Sequence, residues 1–431
     1  MAEQMVPTAL VIFGVTGDLS ARYLLPALSE ICRSGDIRTR LQIIGTSRQA
    51  VLAQDLLKDI SSELAGQFQV IQLDYDRLDN FHKLKEQLAG LSAEQVIFYF
   101  ALPPDAVLPV VKKLGQAGLN TMEYKLLMEK PFGSDFQSAK ILINEIDKYF
   151  KEEQVFRIDH YLAKEMAQNI AVFLGSNALF RGVWDSKFIE SIEIVAEEEI
   201  GVEGREKFYE QTGSLRDVLQ SHLLQLAALT LMEPCPDVFD FSMMQSRRLE
   251  ALDQLEPVLD SVIKGQYDGY RQLVGNENSK VDTFISLELR SNNPKWQGVP
   301  IKLVTGKRLR QKLTEIRVNF KKSQSAQSNL LRLRVHPKEG VEIDLWVKKP
   351  GYDQKLEKLP LDFNYQQYFE RLPDAYEQVI VDAMRGRNNL FASSQEVLAS
   401  WQVLEPLLKD WQDRQPVIYK TGSAAEDINN T

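Results

Sequence analysis

Cysteine is scarce in this chain. The 431 residues include only two cysteines, Cys32 and Cys235. Two cysteines are too few for a disulfide framework or for a cysteine-rich zinc site. Cys32 lies in a helical pattern and is expected to be a buried core residue. The cysteine content therefore indicates a reduced protein, and no metal site is predicted.

Long apolar runs are also missing. No stretch approaches the length of about 18 apolar residues that indicates a membrane-spanning helix. The first residues, MAEQMVPTALVIFG, lack the basic segment and the long apolar run of a secretory signal peptide. We therefore expect a soluble, cytoplasmic protein that has no membrane partner.

Positive charge is not in excess. The formal net charge is -9 and the isoelectric point is about 5.3. Broad nucleic-acid binding depends on a basic surface, so no nucleic-acid partner is expected. If the ligand of this protein is an anion, the cations that hold it must be clustered locally.

The first 150 residues alternate short apolar runs with helix-length segments, such as Arg22–Cys32, Leu78–Leu88 and Ala106–Leu114. The apolar runs are rich in Val, Ile, Leu and Phe, as is usual for strands that are buried on both faces. They are ALVIFGV, LQIIGT, FQVIQLDY, QVIFYFAL and KLLMEKPF. This alternation predicts an α/β domain, in which a Rossmann-type parallel sheet has helices on both sides.

The pattern changes after Ile170, where apolar and polar residues alternate with a period of two. Such alternation predicts a mainly antiparallel sheet with one solvated face. The alternating segments are FIESIEIVAEE, VDTFISLELRS, GVPIKLVTG, TEIRVNFKK, NLLRLRVHP and VEIDLWVKK, and the accompanying amphipathic helices are Ser214–Met232, Asn364–Arg385 and Ser394–Trp411. We therefore predict a second, α+β domain, with domains at residues 1–163 and 164–431.

The segment ALVIFGVTGDLSARYLLPAL has the order strand, turn, helix. Gly14 and Gly17 occupy the turn, where the backbone must approach a ligand closely, and the helix is expected to open at Asp18 or Leu19. The free N–H groups at a helix N-terminus suit a dinucleotide pyrophosphate. The motif is not a full G-x-G-x-x-G, so an alternative is that the glycines only permit the turn.

The end of the second strand indicates which dinucleotide binds. NAD sites often carry an acidic residue there to hold a ribose hydroxyl. Here the sequence is IIGTSRQ, which has no acid but offers Arg48 to a phosphate. Thr16 adds a hydroxyl in the preceding turn. NADP is therefore favoured, with NAD as the weaker alternative, unless Arg48 is only an exposed loop cation.

Two further segments gather reactive side chains. MEKPFG places Lys130 at the carboxyl end of a predicted strand, where ligands bind in open parallel sheets. Pro131 can adopt the cis form and direct the lysine; alternatively, the segment is a turn after an edge strand. The second segment, VFRIDHYLAKEMAQNI, brings together two cations, a carboxylate, an imidazole and a phenol. They are Arg157, Asp159, His160, Tyr161 and Lys164.

The segment GSLRDVLQSHLLQLAALTLMEP predicts a helix that begins at Ser214. Ser214 and Asp217 match a capping box. His222 follows Asp217 by five residues, about 140° around an α-helix. A single histidine among leucines is often a structural core residue, so this alternative stays open. A cluster of cations in GKRLRQK, which includes Lys307 and Lys312, also has a simpler explanation as a solvated face.

The combination of these motifs resembles the glucose-6-phosphate dehydrogenase family. The resemblance covers almost the whole chain. It rests on IFGVTGDL, GTSRQ, FYFALPP, EKPFG, RIDHYLAKEMAQNI, GVEGR, GSLRDVLQSHLLQLAALTLMEP, GVPIKLVTGKRL, PDAYEQVIVDAMRG and SWQVLEPLL. It implies oxidation of glucose 6-phosphate to 6-phosphoglucono-1,5-lactone with hydride transfer to NADP, the first step of the oxidative pentose phosphate pathway.

The resemblance also implies roles for individual residues. His222 is implied to be the general base that removes the proton of the anomeric hydroxyl, and Asp159 to orient it. The implied ligands of the 6-phosphate are His160, Tyr161 and Lys164. The implied contacts of the sugar hydroxyls are Lys130, Glu198 and Asp217, and Lys307 and Lys312 match family positions at the substrate. The implied cofactor-binding residues are Gly14, Thr16, Gly17, Asp18, Arg48, Tyr99 and Lys130. Arg157 is left as a structural residue.

The chain departs from the family pattern in several places. The family fingerprint usually continues GDLAxRKL, but here Tyr23 stands where that lysine is expected. Ser221 replaces the usual asparagine before the base. These departures keep two alternatives open, a non-catalytic protein that binds sugar phosphates and a sugar oxidoreductase of the Gfo/Idh/MocA type. Family members associate through the second-domain sheet, so a homodimer or homotetramer is implied.

Overall fold

The computed structural model describes residues 6–33, 40–58, 60, 62–235, 243–322 and 327–429. The chain forms two compact units. The first comprises Met1–Ala163 and Pro373–Ser394, and the second comprises Lys164–Leu372 and Gln395–Thr431. The predicted boundary between residues 163 and 164 did not foresee that a later segment, Pro373–Ser394, belongs to the first unit.

The first unit contains a seven-stranded sheet in which the first six strands of the chain are parallel. The order of its strands is β16-β6-β5-β4-β1-β2-β3, where β16 is Phe391–Ala392. The parallel strands are β1 Thr8–Phe13, β2 Leu41–Ser47, β3 Phe68–Gln72, β4 Gln95–Phe100, β5 Tyr124–Met128 and β6 Val155–Ile158. The predicted parallel sheet is confirmed. Strand β6 was not predicted, because its four residues VFRI include Arg157.

Helices cover both faces of this sheet. Every residue of β1 and β4 is buried, because one apolar cluster packs on each face. A helical segment Ser20–Leu24 with the wide turn of a π-helix leads into α1 Leu25–Arg33. The other helices are α2 Ala53–Leu56, α3 Ser62–Ala65, α4 Leu78–Ala89, α5 Pro104–Gln116, α6 Phe136–Asp147 and the short 3₁₀ turn Glu152–Gln154.

The segment Pro373–Ser394 adds a helix and a short strand to the first unit. Strand β16 Phe391–Ala392 pairs antiparallel with β6. The helix Ala375–Arg385 begins with a capping box between Asp374 and Glu377 and ends at Gly386. Its buried side chains join the apolar cluster that also contains the residues of α1. Burial of this face explains why a segment so late in the chain belongs to this unit.

The second unit contains a ten-stranded, mainly antiparallel sheet, as predicted. Its order is β15-β14-β13-β12-β7-β11-β10-β9-β17, and β8 also pairs with β10. The strands are β7 Ile189–Glu197, β8 Leu255–Pro257, β9 Ile263–Tyr267, β10 Phe284–Ser291, β11 Ile301–Gly306, β12 Leu313–Phe320, β13 Leu330–His336, β14 Gly340–Lys348, β15 Leu356–Asn364 and β17 Val417–Tyr419. The pairs β7–β11 and β9–β17 are parallel.

The helices of the second unit lie between these strands in the sequence. Numbered on from the first unit, they are α7 Glu165–Ser176, α8 Ala178–Arg181, α9 Glu206–Ser214, α10 Leu224–Leu231, α11 Met244–Leu252, α12 Tyr270–Val274, α13 Tyr365–Tyr368, α15 Ser394–Leu408 and α16 Ala425–Asn429, where α14 is the helix Ala375–Arg385 of the first unit. A π-helical segment, Leu215–Leu223, joins α9 to α10, and short 3₁₀ turns lie at Leu259–Ser261 and Pro294–Trp296.

One predicted helix is divided in the structure. The segment Asn364–Arg385 was predicted as a single amphipathic helix, but α13 ends at Tyr368 and α14 begins at Ala375. Pro373 disfavours helical backbone in the residue before it, and Asp374 caps the second helix. No helix in the described part of the chain has both the length and the apolar character that a bilayer crossing requires.

Candidate functional site

The glycine turn after β1 is closed by several hydrogen bonds. Gly14 has a positive φ of 85°, and its N–H donates to the hydroxyl of Tyr75 at 3.0 Å. The carbonyl of Gly14 accepts from Gly17 N and Ser20 Oγ, each at 3.0 Å. A Cβ atom on Gly14 would lie 2.3 Å from the Ala101 carbonyl oxygen. Only glycine fits at this position, because the turn lies close to the end of strand β4 and because φ is positive.

The helix after this turn begins at Asp18, as expected. Thr16 and Asp18 are exposed, and Asp18 forms an ion pair of 2.8 Å with Arg22. The first N–H groups of a helix have no acceptor within that helix, and its N-terminus favours a negative charge. An exposed hydroxyl, a glycine turn and a helix N-terminus together fit the pyrophosphate of a dinucleotide.

Tyr75 connects this turn to the predicted phosphate-binding arginine. The hydroxyl of Tyr75 lies 2.9 Å from Thr46 Oγ1, and the guanidinium carbon of Arg48 lies 5.4 Å from the centre of the Tyr75 ring. Burial raises the pKa of Tyr75, so it stays neutral near pH 7. Arg48 is exposed beside it. The arrangement leaves the Arg48 guanidinium accessible to a phosphate group. Tyr75 was not singled out from the sequence.

Three strand ends bring together Tyr99, Glu129 and His160. The Tyr99 hydroxyl donates to Glu129 Oε1 at 2.5 Å, and His160 Nε2 lies 3.1 Å from Glu129 Oε2. Tyr99 is fully buried. Lys130 follows Glu129, and its bond to Pro131 is cis. Glu129 was not singled out from the sequence, although an acid next to Lys130 at the end of a buried strand was a usable indication.

The charge on Glu129 is stabilised by its neighbours. Burial alone would raise the pKa of this carboxyl group. The charge of His160 and the hydrogen bonds from His160 and Tyr99 outweigh that effect, so its pKa is lowered. An ionised carboxylate only accepts hydrogen bonds, so Nε2 of His160 carries the shared proton. The other ring nitrogen, Nδ1, is buried and has no hydrogen-bond partner within the described residues. A buried nitrogen of this kind suits a polar ligand.

The remaining residues of this segment have distinct surroundings. Asp159 is buried, and its Oδ1 accepts from the backbone N–H of Tyr161 at 2.8 Å and of Leu162 at 3.3 Å. Arg157 is also buried, and both of its terminal nitrogens donate to Glu152, at 2.8 and 3.1 Å. This bidentate pair agrees with the structural role assigned to Arg157.

In the second unit, the cap at the start of the helix that carries His222 differs from the predicted one. The predicted capping box of Ser214 and Asp217 is wrong, because Ser214 makes no side-chain capping hydrogen bond. Its hydroxyl instead lies 2.5 Å from that of Tyr209. The carboxylate of Asp282, in the loop before β10, accepts from Leu215 N at 2.7 Å. Asp282 therefore supplies a helix cap.

Asp217 and His222 lie on the π-helical segment Leu215–Leu223. In this segment backbone hydrogen bonds span five residues, as from Leu224 N to Leu219 O. Residues five apart therefore lie on nearly the same face, whereas an α-helix would separate them by about 140°. Both Asp217 and His222 are buried. The local helix type thus relates the two side chains in a way that the sequence spacing did not predict.

Glu198 and Lys307 form an ion pair at the ends of β7 and β11. Lys307 Nζ lies 2.7 Å from Glu198 Oε2 and 5.3 Å from the centre of the Tyr209 ring. The lysine is buried, and its carbonyl oxygen accepts from the Tyr419 hydroxyl at 2.6 Å. A buried lysine held in this way is not part of a solvated face. The structure thus brings together two of the predicted substrate-binding residues.

Lys164 and Lys312 both lie near His336. Lys164 is the residue before helix α7 and is partly buried, and Lys312 is exposed just before β12. Burial and the positive charges of Lys312 and Lys164 lower the pKa of His336 to about 4. Glu339 accepts from Met166 N at 2.8 Å in the first turn of α7. Two cations beside a neutral imidazole form a site that can bind an anion. His336 was not singled out from the sequence.

Two family models match this chain. The model described as "Glucose-6-phosphate dehydrogenase, NAD binding domain" matches residues 11–169, and the one described as "Glucose-6-phosphate dehydrogenase, C-terminal domain" matches residues 171–429. Among curated relatives, the glucose-6-phosphate 1-dehydrogenase of Mycolicibacterium smegmatis is 35% identical over 97% of this chain and 94% of its own length. That of Chlamydia muridarum is 33% identical over 97% of this chain and 93% of its own length.

Solved structures with a similar fold carry the same description. One is described as glucose-6-phosphate dehydrogenase in complex with its substrate glucose-6-phosphate. It has a TM-score of 0.91 and 31% sequence identity, and the match covers 100% of this chain and 99% of that chain. The glucose-6-phosphate 1-dehydrogenase of Mycobacterium avium has a TM-score of 0.87 and 27% identity, and the match covers 97% of this chain and 95% of that chain.

Proposed function

This chain belongs to the glucose-6-phosphate dehydrogenase family, and on that premise we infer that it is an NADP-dependent oxidoreductase. It oxidises D-glucose 6-phosphate to 6-phosphoglucono-1,5-lactone, the first step of the oxidative pentose phosphate pathway. The observation that carries this conclusion is the match of both family models over nearly the whole chain. No finding favours the non-catalytic sugar-phosphate-binding protein or the oxidoreductase of the Gfo/Idh/MocA type.

We assign the chemical step to His222. An imidazole that removes the proton of the anomeric hydroxyl leaves electron density on that oxygen, which expels the hydride from the same carbon. NADP, when bound, supplies the nicotinamide ring that accepts the hydride. His222 is supported as the base by its burial on the π-helical segment, which excludes water from the imidazole. Asp159 is assigned as the carboxylate that orients this base, a role supported by its own burial.

The 6-phosphate is assigned to His160, Tyr161 and Lys164. Lys164 has support from its position near Lys312 and His336, where positive charge accumulates in an acidic protein. His160 has support from its buried Nδ1 atom, which has no protein partner within the described residues. A phosphate oxygen satisfies such an atom, and charge-assisted bonds to a dianion are strong.

The sugar hydroxyls are assigned to Lys130, Glu198 and Asp217, and Lys307 and Lys312 are assigned to the substrate without a choice between its sugar and its phosphate. The ion pair of Glu198 and Lys307 supports this assignment, because it holds a donor and an acceptor in a fixed geometry. Fixed polar groups select for sugars that present matching hydroxyl groups.

The cofactor is assigned to Gly14, Thr16, Gly17, Asp18, Arg48, Tyr99 and Lys130. Preference for NADP is supported by the exposed Arg48, which a buried Tyr75 holds by ring contact. Tyr99 is fully buried beside Glu129, so its contribution is to hold the strand ends in place.

We also propose a cytoplasmic protein in which residues 1–163 bind NADP and residues 164–431 bind substrate and associate with a second copy. Association as a homodimer or homotetramer is supported by the apolar side chains exposed on β14 and β15. They are Leu345, Val347, Leu356, Leu359 and Leu361. Strand β15 ends the sheet order, and an exposed apolar edge of this kind favours pairing with another subunit.

The proposed activity is tested by following reduced cofactor in absorbance with the purified protein. NADP and NAD are offered separately, each with glucose 6-phosphate and then with glucose. Reduction with the phosphorylated sugar alone is expected, and NADP is expected to react faster. Reduction with glucose would indicate the broader sugar oxidoreductase. Binding of glucose 6-phosphate without reduction of either cofactor would indicate the non-catalytic protein.

A further inference from the structure

Three aromatic rings of the first unit are stacked in sequence. The ring centroids of Tyr23 and Tyr376 are 5.1 Å apart with an interplanar angle of 16°, and those of Tyr376 and His160 are 4.2 Å apart with an angle of 39°. We call Tyr23, Tyr376 and His160 the aromatic column. Tyr23 is about half exposed, at 47%. The column therefore runs from the surface to the imidazole that we assign to the phosphate.

The middle ring of the column is held by its backbone. Tyr376 is the second residue of helix α14, and its N–H donates to the side chain of Asp374 at 2.9 Å. Glu377 completes the capping box by accepting from Asp374 N at 3.1 Å. Val379 and Ile380 of the same helix are fully buried in the core of the first unit. A capped and buried helix fixes the position of its first turn, so Tyr376 is a rigid support.

The imidazole is thus held from two directions. Glu129 accepts from the edge of the ring at Nε2, and Tyr376 covers one face of it. An edge contact alone leaves the ring some freedom to turn about its side-chain torsions. The face contact removes that freedom and fixes the direction of Nδ1, the buried atom without a protein partner among the described residues.

Tyr23 makes a different kind of interaction from the lysine that the family pattern has at this position. A lysine there would add a positive charge near the substrate. The tyrosine adds no charge, but its ring stacks on the ring of Tyr376. Aromatic pairs at such distances are stabilised by more than the burial of their area. In the first turns after the glycine loop, this position therefore contributes ring packing and no charge.

We propose that Tyr376 is a positioning residue for His160 and that Tyr23 acts through Tyr376, so that ring packing sets the affinity for the phosphate group of the substrate. This inference rests on the proposed function, in which His160 binds the 6-phosphate. The column holds the nitrogen that meets the phosphate and takes no part in hydride transfer. Its loss raises the KM for glucose 6-phosphate and changes kcat and the KM for NADP little.

The test compares Tyr376→Leu and Tyr23→Leu with Tyr376→Phe, which keeps the ring. Tyr352→Leu is the matched control, since Tyr352 is fully exposed. Tyr376→Leu is expected to raise the KM for glucose 6-phosphate about 3- to 10-fold, the range of a single stacking interaction. Tyr376→Phe and Tyr352→Leu are expected to behave as the native protein. Tyr23→Leu is expected to have a smaller effect that disappears in the Tyr376→Leu background, because Tyr23 acts through Tyr376.

A second readout does not depend on turnover. The chain has four histidines, so the ring resonances of His160 are assigned by NMR with His160→Gln. These resonances are expected to move in Tyr376→Leu, which removes the ring current of the stacked tyrosine, and to stay in place in Tyr376→Phe. Inorganic phosphate is expected to shift the His160 resonances of the native protein. The shift is expected to be smaller in Tyr376→Leu.

The two hypotheses fail in different ways. A Tyr376→Leu protein with unchanged KM and unchanged His160 resonances would overturn the positioning role while leaving the dehydrogenase activity intact. Equal increases in the KM for sugar phosphate and NADP would overturn it as well. If the native protein reduces no cofactor, the proposed function fails. The positioning role of Tyr376 is then tested only by comparing the phosphate-induced shifts of the His160 resonances in the native protein and in Tyr376→Leu. If Tyr376→Leu does not fold, the half-exposed Tyr23→Leu supplies the comparison.

Discussion

A Cβ atom on Gly213 would stand 2.5 Å from Oδ1 of Asp282, the carboxylate that caps the helix carrying His222. Gly213 has φ 64° and ψ 178°, a backbone conformation that residues with side chains rarely adopt. The glycine thus allows the carboxylate of a distant segment to reach Leu215 N. The position of the proposed base depends on this approach, because the cap orients the first turn of its helix.

Substitution of Gly213 by alanine is expected to destabilise the protein and to lower its activity. The left-handed backbone and the close contact with Asp282 together cost about 1–3 kcal/mol of unfolding free energy. Gly182→Ala is the matched control, because Gly182 has an ordinary helical φ of -84° and open space around its Cβ position. Denaturant unfolding of both variants measures the difference, and equal stabilities would show that the contact is tolerated.

Replacement of His222 by asparagine is expected to lower kcat by about 10²- to 10⁴-fold, the usual effect of removing a general base. The KM for glucose 6-phosphate is expected to change little, since the base acts mainly in the transition state. His82→Asn serves as the control, because His82 is exposed on helix α4. Steady-state kinetics decide, and near-native turnover in His222→Asn would rule out the assignment.

Replacement of Lys164 by alanine is expected to weaken the sugar phosphate selectively. Loss of one charge-assisted hydrogen bond costs about 1.5–3 kcal/mol, which corresponds to a 10- to 100-fold higher KM. The KM for NADP is expected to stay the same. Lys187→Ala, at an exposed position of the second unit, is the control. A parallel rise in both KM values would contradict a role specific to the phosphate.

Replacement of Arg48 by alanine is expected to reduce the preference for NADP over NAD. A planar guanidinium binds a phosphate through paired hydrogen bonds, and NAD lacks the 2′-phosphate. The ratio of kcat/KM values for NADP and NAD is expected to fall about 10-fold or more. Arg77→Ala removes a similar exposed arginine outside the turn and is the control. An unchanged ratio in Arg48→Ala would mean that this cation does not select the cofactor.

Stability is expected to fall as the pH decreases from about 6.5 towards 4. His336 keeps a pKa of about 4 in the folded protein, because burial and the charges of Lys312 and Lys164 oppose its protonation. In the unfolded chain it takes up a proton near its ordinary value of 6.5. The unfolded state therefore binds more protons in this range, and the free energy of unfolding decreases as the pH falls.

The variant His336→Asn isolates this contribution. Its free energy of unfolding is expected to decrease less than that of the native protein between pH 7 and pH 5. His82→Asn is again the control, since it removes an exposed histidine instead of a half-buried one. Urea titrations at the two pH values give the comparison, and an identical pH dependence in His336→Asn would exclude the effect.

Much of the fold could be predicted from consecutive residues. The apolar runs of β1 and β4 indicated strands buried on both faces, and the alternation in segments such as β7 and β13 indicated a sheet with one solvated face. The short strand β9 lacks a clear period of two and was missed, and β15 was missed although its second half alternates. The family resemblance drew attention to Lys164, His222 and Lys307, whose separate motifs also suited structural explanations.

Contacts between distant segments could not be predicted. Glu129 and His160 come from different strands of one sheet, and Asp282 reaches the helix of His222 from a loop 67 residues beyond Leu215. The π-helical backbone at Asp217 and His222 also escaped prediction, because the residue pattern fits an ordinary helix equally well. In each case the partner is selected by packing in three dimensions, which leaves no periodic trace in the sequence.

The sequence by itself thus determined the two kinds of sheet, the glycine turn after β1 and the set of reactive side chains, because local patterning selects elements and their buried faces. Only the tertiary structure decided how those side chains are held. In the folded protein, Tyr376 belongs to the first unit, and its ring contacts the rings of Tyr23 and His160. Asp282 caps the helix that carries the proposed base. These relationships depend on which surfaces pack together, and burial and hydrogen bonding select them only once the whole unit has folded.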